Sequence, residues 1–292
     1  MTSHPYFDPA HSAEIVASRA GPHANPRLRE IMDIFVRHMH EAVKESGLTQ
    51  EEWNQGIAFL THTGQMCTDW RQEFILLSDV LGISMLVDAI NHGRPAKATE
   101  NTVLGPFHVA DAPHYPNGAQ ILLDQQGEPM IVRGRVLDVD GGPIAGATLG
   151  VWQANADGFY DVQQKGVQPE GNLRGIFTTD ADGSFWFRSA KPRWYPIPHD
   201  GPVGRLLQGL DRNPFRPAHI HFIVEAPGFE RVVTHIFASD CPFLGEDAVF
   251  GVKQSLVADF RRKDDPAIAD TLGVPNPFWE VEHDFILVKD RM

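Results

Sequence analysis

A change of hydrophobic period near residue 100 constrains this chain more than any other feature. Before it, apolar residues recur at three- and four-residue steps. Asn25-Pro26 opens a segment in which Leu28, Ile31, Ile34, Phe35, Met39 and Val43 share one helical face, and Gly47 closes it. Thr49 followed by Glu52 has the form of a capping box for a second helix, marked by Trp53, Ile57, Leu60 and Thr61. A third run covers roughly Trp70 to Ile90 and ends at Asn91 and Gly93. The apolar stripes are broad, so part of this surface is expected to pack on something outside the helices.

After residue 100 the period is that of strands. Ile131 to Asp138 alternates, and Thr148 to Gln153 reads as its partner across Asp140-Gly141-Gly142. Gly175 to Thr179 and Ser184 to Phe187 flank Asp180-Ala181-Asp182-Gly183, while Ile220 to Val224 and Arg231 to Phe237 flank Ala226-Pro227-Gly228. Phe285 to Val288 is a last strand. Short strands joined by turns, with no helix between them, predict a mainly β fold built on an antiparallel β-sandwich. The expected division is a helical region over 1–100 and a β-sandwich domain over 101–292. Segments 154–174 and 188–216 are long and rich in Gly, Pro, Asp and Asn, which is where a functional site is expected.

Composition removes several alternatives. Of 292 residues, 42% are hydrophobic and 22% charged, which is ordinary for a globular chain. The net charge is −13, and acidic residues outnumber basic ones on both sides of residue 100, which speaks against nucleic acid as a partner. Two cysteines, Cys67 and Cys241, exclude a disulfide framework and a thiolate-only metal cage. They fit a cytoplasmic protein with reduced thiols. The first residues lack the basic-then-apolar pattern of a signal peptide, and no run reaches about 18 apolar residues, so no membrane span is expected. No glycine-rich strand-to-helix turn suggests a nucleotide site.

The strongest chemical signal is His219-Ile220-His221. On a strand, residues two apart face the same side, so both imidazoles can reach one metal ion while Ile220 and Phe222 fill the core. The pair also fits two ordinary polar residues on a half-exposed strand. Of the four tyrosines, Tyr160 and Tyr195 lie in the long loops. A phenol ionises near pH 10, so only a strongly Lewis-acidic cation would hold two phenolates at neutral pH, which favours Fe(III) over Zn or Mg. Each tyrosine alone also fits as a packing residue with its hydroxyl hydrogen-bonded.

Tyr160, Tyr195, His219 and His221, with the stretches Trp152 to Tyr160, Tyr195 to Pro202, Arg216 to His221 and Thr102 to Phe107, resemble the intradiol ring-cleaving dioxygenases. The likeness covers nearly the whole chain. The runs Glu73 to Gly82 and Thr234-His235-Ile236-Phe237 resemble the hydroxyquinol-cleaving branch; catechol-cleaving members usually carry Gln in place of His235. His199 and Cys241 depart from the usual pattern without removing a ligand. The resemblance implies one Fe(III) per subunit on Tyr160, Tyr195, His219 and His221, with O2 as co-substrate. Tyr195 and His221 would be axial, and Tyr195 would also act as a base. Arg216 would place positive charge by the substrate ring. Val103, Leu104, Gly105, Pro106 and Phe107 would form a pocket wall, completed by Leu76, Asp79, Ile197, Pro198 and Phe250. The helical region would form a homodimer, with a phospholipid between its helices.

The expected reaction is cleavage of hydroxyquinol to maleylacetate. The runner-up is cleavage of catechol or a substituted catechol to a cis,cis-muconate. A third reading, from another class, is a metal-free binding sandwich.

Overall fold

The computed structural model describes residues 6–68 and 71–290. Trp70 and the beginning of the N-terminal stretch read above lie outside them. The chain divides into two compact units, one ending at His62 and the other starting at Thr63.

The first unit is helical. It holds α1 (Ser12–Ala17), α2 (Pro26–Ser46) and most of α3 (Gln50–Gln65). The start and stop signals act as the sequence predicts. The Asn25 side chain accepts the Leu28 N–H at 3.0 Å, Pro26 occupies the first turn, and Gly47 ends α2 at φ 60°. The Thr49 hydroxyl accepts the Glu52 N–H at 3.2 Å, and the Glu52 carboxylate accepts the Thr49 N–H at 2.9 Å. Helix α1 is too short to show a period in sequence; its Ser12 hydroxyl pairs with His40 of α2 at 2.9 Å. The apolar stripe of α2 stays exposed, with Phe35 at 57% and Met39 at 51%.

The second unit opens with α4 (Glu73–Val80) and α5 (Ile83–Asn91). The sequence reads these as one run, but Gly82 takes φ 72° between them and breaks it. Among the described residues twelve strands follow, with two further α-helices: β1 (Pro129–Asp138), β2 (Thr148–Trp152), β3 (Arg174–Thr178), β4 (Ser184–Ala190), β5 (Tyr195–Pro196), α6 (Pro202–Gly209), β6 (Phe215–Arg216), β7 (His219–Glu225), β8 (Val232–Ala238), β9 (Val257–Ala258), β10 (Arg261–Lys263), α7 (Pro266–Leu272), β11 (Phe278–Glu282) and β12 (Phe285–Leu287).

They form two five-stranded sheets and a small ribbon. One sheet runs β10-β11-β1-β12 with β4 also on β1; the other runs β3-β2-β7-β8-β9; the ribbon is β5-β6. The two-sheet core agrees with the expected sandwich, but its pairing is mixed. β1 pairs in parallel with β11 and β12, and β8 with β9. Two expected hairpins also differ. β1 and β2 lie in different sheets, and so do β3 and β4. The turn residues between them specify a reversal but not whether the next strand stays in the same sheet. Only β7 and β8 pair as read. Aromatic rings fill the space between the sheets. Phe177 of β3 stacks on Phe187 of β4 at 4.8 Å, and Phe222 of β7 meets Phe285 of β12 at 4.7 Å.

Gly134 sits where β1 changes partner from β11 to β12. A Cβ there would lie 1.8 Å from the His283 carbonyl oxygen, a backbone atom that cannot swing aside. Gly134→Ala is therefore expected to destabilise the sandwich by about 1–3 kcal/mol or more, read as a fall in Tm. An unchanged Tm would remove this junction as a constraint.

Candidate metal centre

The site is assembled by strand register. β7 lies between β2 and β8, and His219 and His221 face one side of it. Ile220 and Phe222 face the other and are fully buried in the core. Trp152 of β2 stands opposite His221 and stacks on its ring at 4.6 Å and 12°. His235 of β8 stands opposite from the other side, 4.1 Å away between ring centroids. The β5-β6 ribbon sets Tyr195 directly across from Arg216. Tyr160 follows Gly158, whose backbone is left-handed at φ +87°; a Cβ on it would come within 2.8 Å of the Tyr195 Cβ. The two tyrosines approach because that position has no side chain.

Four donor atoms converge. Tyr160 Oη lies 3.1 Å from Tyr195 Oη, 2.9 Å from His221 Nε2 and 3.5 Å from His219 Nε2. His219 Nε2 lies 3.1 Å from His221 Nε2 and 3.5 Å from Tyr195 Oη. Among the described residues, no such contact joins Tyr195 and His221. His219 Nδ1 donates to the Pro217 carbonyl at 2.6 Å, so its Nε2 presents a lone pair to the cluster. His221 Nδ1 and His235 Nε2 are buried without a hydrogen-bond partner among the described residues. His219, His221 and His235 also form a group able to hold a metal ion.

The electrostatics fit a cation. Burial pushes all three imidazoles well below their ordinary value, and Arg216 adds to this, so they are neutral at neutral pH. Burial also pushes the Tyr160 phenol well up, reinforced by Tyr195, and pushes Tyr195 up against the pull of Arg216. Two phenols so placed ionise only beside a strong positive charge. Two oxygens and two neutral nitrogens facing one point therefore fit a single ferric ion.

The pocket candidates divide. Gly105 passes close to the cluster at φ +77°, and a Cβ on it would lie 3.0 Å from His221 Cε1. Phe107 stacks on Tyr160 at 4.6 Å. Val103, Leu76 and Ile197 pack in one group with Val80, Ala248 and Val249. Asp79 shares α4 with Leu76; burial pushes its carboxyl up, against a hydrogen bond with Ser84 and the nearby charge of Arg216. Helix α4 is anchored at both ends. Buried Glu73 accepts the Val203 N–H of α6 at 3.2 Å, and Arg212 donates to the Val80 carbonyl at 2.7 Å and the Ala248 carbonyl at 3.1 Å. Leu104, Pro106, Pro198 and Phe250 remain exposed.

The two departures from the family pattern sit near the site. The His199 ring pairs with the Ile197 carbonyl at 3.0 Å, and the Cys241 sulfur accepts the Ala218 N–H at 3.3 Å, one residue from His219. A cavity of about 390 Å³ beside Cys241 is not lined by any of the four donors.

Sequence reasoning gives no structural role to His235, Trp152 or Asp247, nor to the buried Arg174–Asp161 pair, whose Arg174 Nη1 donates to the Phe107 carbonyl at 3.1 Å. Their contacts come from cross-strand register and loop packing over separations without a short motif.

Two phenols and two imidazoles converging beside a buried arginine match the two-histidine, two-tyrosine iron site of the intradiol dioxygenases. A family profile described as "Dioxygenase" matches residues 103–289, and one described as "Catechol dioxygenase N terminus" matches residues 25–99. The chain belongs to the intradiol ring-cleavage dioxygenases. It is 60% identical to hydroxyquinol 1,2-dioxygenase of Rhizobium sp. (strain MTP-10005) over 97% of both chains. It is 51% identical to 6-chlorohydroxyquinol 1,2-dioxygenase of Cupriavidus pinatubonensis over 89% of this chain and 94% of the relative. A solved structure of hydroxyquinol 1,2-dioxygenase from Pseudomonas putida DLL-E4 superposes with a TM-score of 0.90 at 46% identity, over 97% of this chain and 99% of that one.

The neutral imidazoles set a pH dependence. The unfolded chain takes up a proton at each near the ordinary value of 6.5, whereas the folded chain resists doing so until well below it. Stability is thus fully present above pH 6.5 and falls as pH drops, by about 1.4 kcal/mol per pH unit for each histidine. The iron-free protein is expected to show a lower Tm at about pH 5.5 than at about pH 7.5, and His235→Gln to flatten that dependence. Identical profiles for parent and variant would show that His235 is not held neutral by the fold.

Proposed function

We propose that the protein cleaves hydroxyquinol, 1,2,4-trihydroxybenzene, between its adjacent hydroxyls with O2, giving maleylacetate. The observation that carries this is the convergence of Tyr160, Tyr195, His219 and His221 within hydrogen-bonding distance of one another. The names of the two curated relatives above, one for hydroxyquinol and one for its 6-chloro derivative, support the substrate class. These four residues hold one Fe(III) per subunit. When bound, the ion supplies a Lewis-acidic centre for the paired substrate oxygens and for their reaction with O2.

The chain's own residues do the rest. Tyr195, held as the phenolate beside a bound cation, would accept a proton at Oη from a substrate hydroxyl, and the upward push of burial would make that phenolate a strong base. Arg216, buried at 4% exposure, holds its charge beside the ring and the developing anion. Gly105 and Phe107 form a flat wall; Val103, Leu76 and Ile197 exclude water, and Leu104, Pro106, Pro198 and Phe250 form the rim. Asp79 reads the third hydroxyl, accepting a hydrogen bond when ionised and donating one when protonated.

Residues 101–292 are the catalytic domain in this reading, and residues 1–100 include the dimerisation region. The exposed stripe of α2 supports a homodimer, with a phospholipid as candidate occupant between the helices. Among the described residues no helix is long and apolar enough to cross a membrane. Free Cys67 and Cys241 fit a cytoplasmic location.

Tyr160→Phe is expected to weaken iron retention, and both Tyr160→Phe and Tyr195→Phe to change the visible tyrosinate-to-iron absorption of the iron-loaded protein. Parental spectra at equal iron content would remove the tyrosines as ligands. Oxygen uptake is expected to favour hydroxyquinol over catechol by roughly tenfold or more in kcat/KM, because an unpaired buried group costs about 1–3 kcal/mol. Asp79→Ala should erode that preference while leaving iron and colour intact. Faster cleavage of catechol by the parent would transfer the assignment to a catechol 1,2-dioxygenase.

A further inference from the structure

We propose that Asp247 is a positioning residue for ring cleavage: it grips one edge of the Arg216 guanidinium and so aims the opposite nitrogen at the donor cluster. The inference rests on the role given above to Arg216.

A guanidinium carries five N–H donors in one plane, so the edge that meets a carboxylate decides where the remaining donors point. Arg216 meets Asp247 side-on, with Nε 3.3 Å from Oδ1 and Nη2 3.5 Å from Oδ2. Its third nitrogen, Nη1, is left 3.4 Å from His219 Nε2. Both partners are buried.

Asp247 is itself held by the backbone. Its Oδ1 accepts the Val249 N–H at 3.3 Å and its Oδ2 accepts the Gly251 N–H at 2.9 Å. Between these amides Phe250 takes φ +58°, a left-handed conformation that side chains seldom adopt. The Arg212 guanidinium covers the Phe250 ring at 4.9 Å. The Gly251 backbone lies against the pair, since a Cβ on it would lie 2.9 Å from Arg216 Nη2 and 3.1 Å from Asp247 Oδ2.

The test is a double-mutant cycle on iron-loaded protein, with Asp247→Asn made in the parent and in Arg216→Lys. Oxygen uptake with hydroxyquinol, iron content, the visible band and substrate binding without oxygen are read for each. Outer partners of site residues typically contribute 10–100-fold. Asp247→Asn is expected to lower kcat by that factor in the parent, with iron content and visible band retained. On the Arg216→Lys background it should cost less than about threefold, because lysine has no fork to aim. If Asp247→Asn is not recovered folded, Gly251→Ala takes its place in the same cycle, pressing on the pair without removing charge. Parental turnover in Arg216→Lys would overturn the role of Arg216 and this inference with it. A slow Arg216→Lys combined with equal Asp247→Asn losses on both backgrounds, or with none in the parent, would overturn the Asp247 inference alone. Loss of iron in Asp247→Asn would do the same.

Discussion

Everything in the second unit is arranged around four polar atoms brought within 3.5 Å of their neighbours in a buried place. Without a partner, two phenols and two imidazoles in such a place carry a desolvation cost that hydrogen bonds among themselves offset only in part. A metal ion held there would remove the conflict by taking the four crowded lone pairs as ligands. The surrounding fold keeps the crowding in register. β7 is hydrogen-bonded on both edges, Trp152 and His235 flank His221, and the β5-β6 ribbon holds Tyr195 to Arg216.

Charge near this cluster is supplied in pairs. Arg216 is matched by Asp247 and Arg174 by Asp161, and both arginines act against the upward push of burial on Tyr160. Buried pairs of this kind contribute little net stability. Their value lies in direction. Arg174 ties down the Phe107 carbonyl and with it a ring that stacks on Tyr160, while Arg216 leaves one nitrogen against His219.

The four donors and the proposed substrate-reading residues reside on different elements. The donors come from the sandwich and its loops, whereas Leu76 and Asp79 come from α4. That helix is pinned by buried Glu73 at one end and Arg212 at the other. The exposed apolar stripe of α2 belongs to a separate compact unit.

The sequence by itself determined whatever is local. Asn25-Pro26 and Gly47 bound α2, Thr49 and Glu52 cap α3, and the two-residue spacing of His219 and His221 puts both imidazoles on one face of a strand, because these signals act within a turn or a pleat. Tyr160 and Tyr195 were legible through their motifs. Tertiary structure decided which strands pair. Turn residues fix a reversal, yet β1 leaves β2 for β4, β11 and β12, because sheet membership is set by burial of whole faces and not by the turn. Gly82 split one apolar run into two helices by a left-handed backbone that periodicity does not register. The placing of His235 against His221 and of Asp247 against Arg216 was likewise a matter of register and loop packing. Those partners are 14 and 31 residues apart, and no local rule couples residues over such distances until the sheets and loops that carry them have closed.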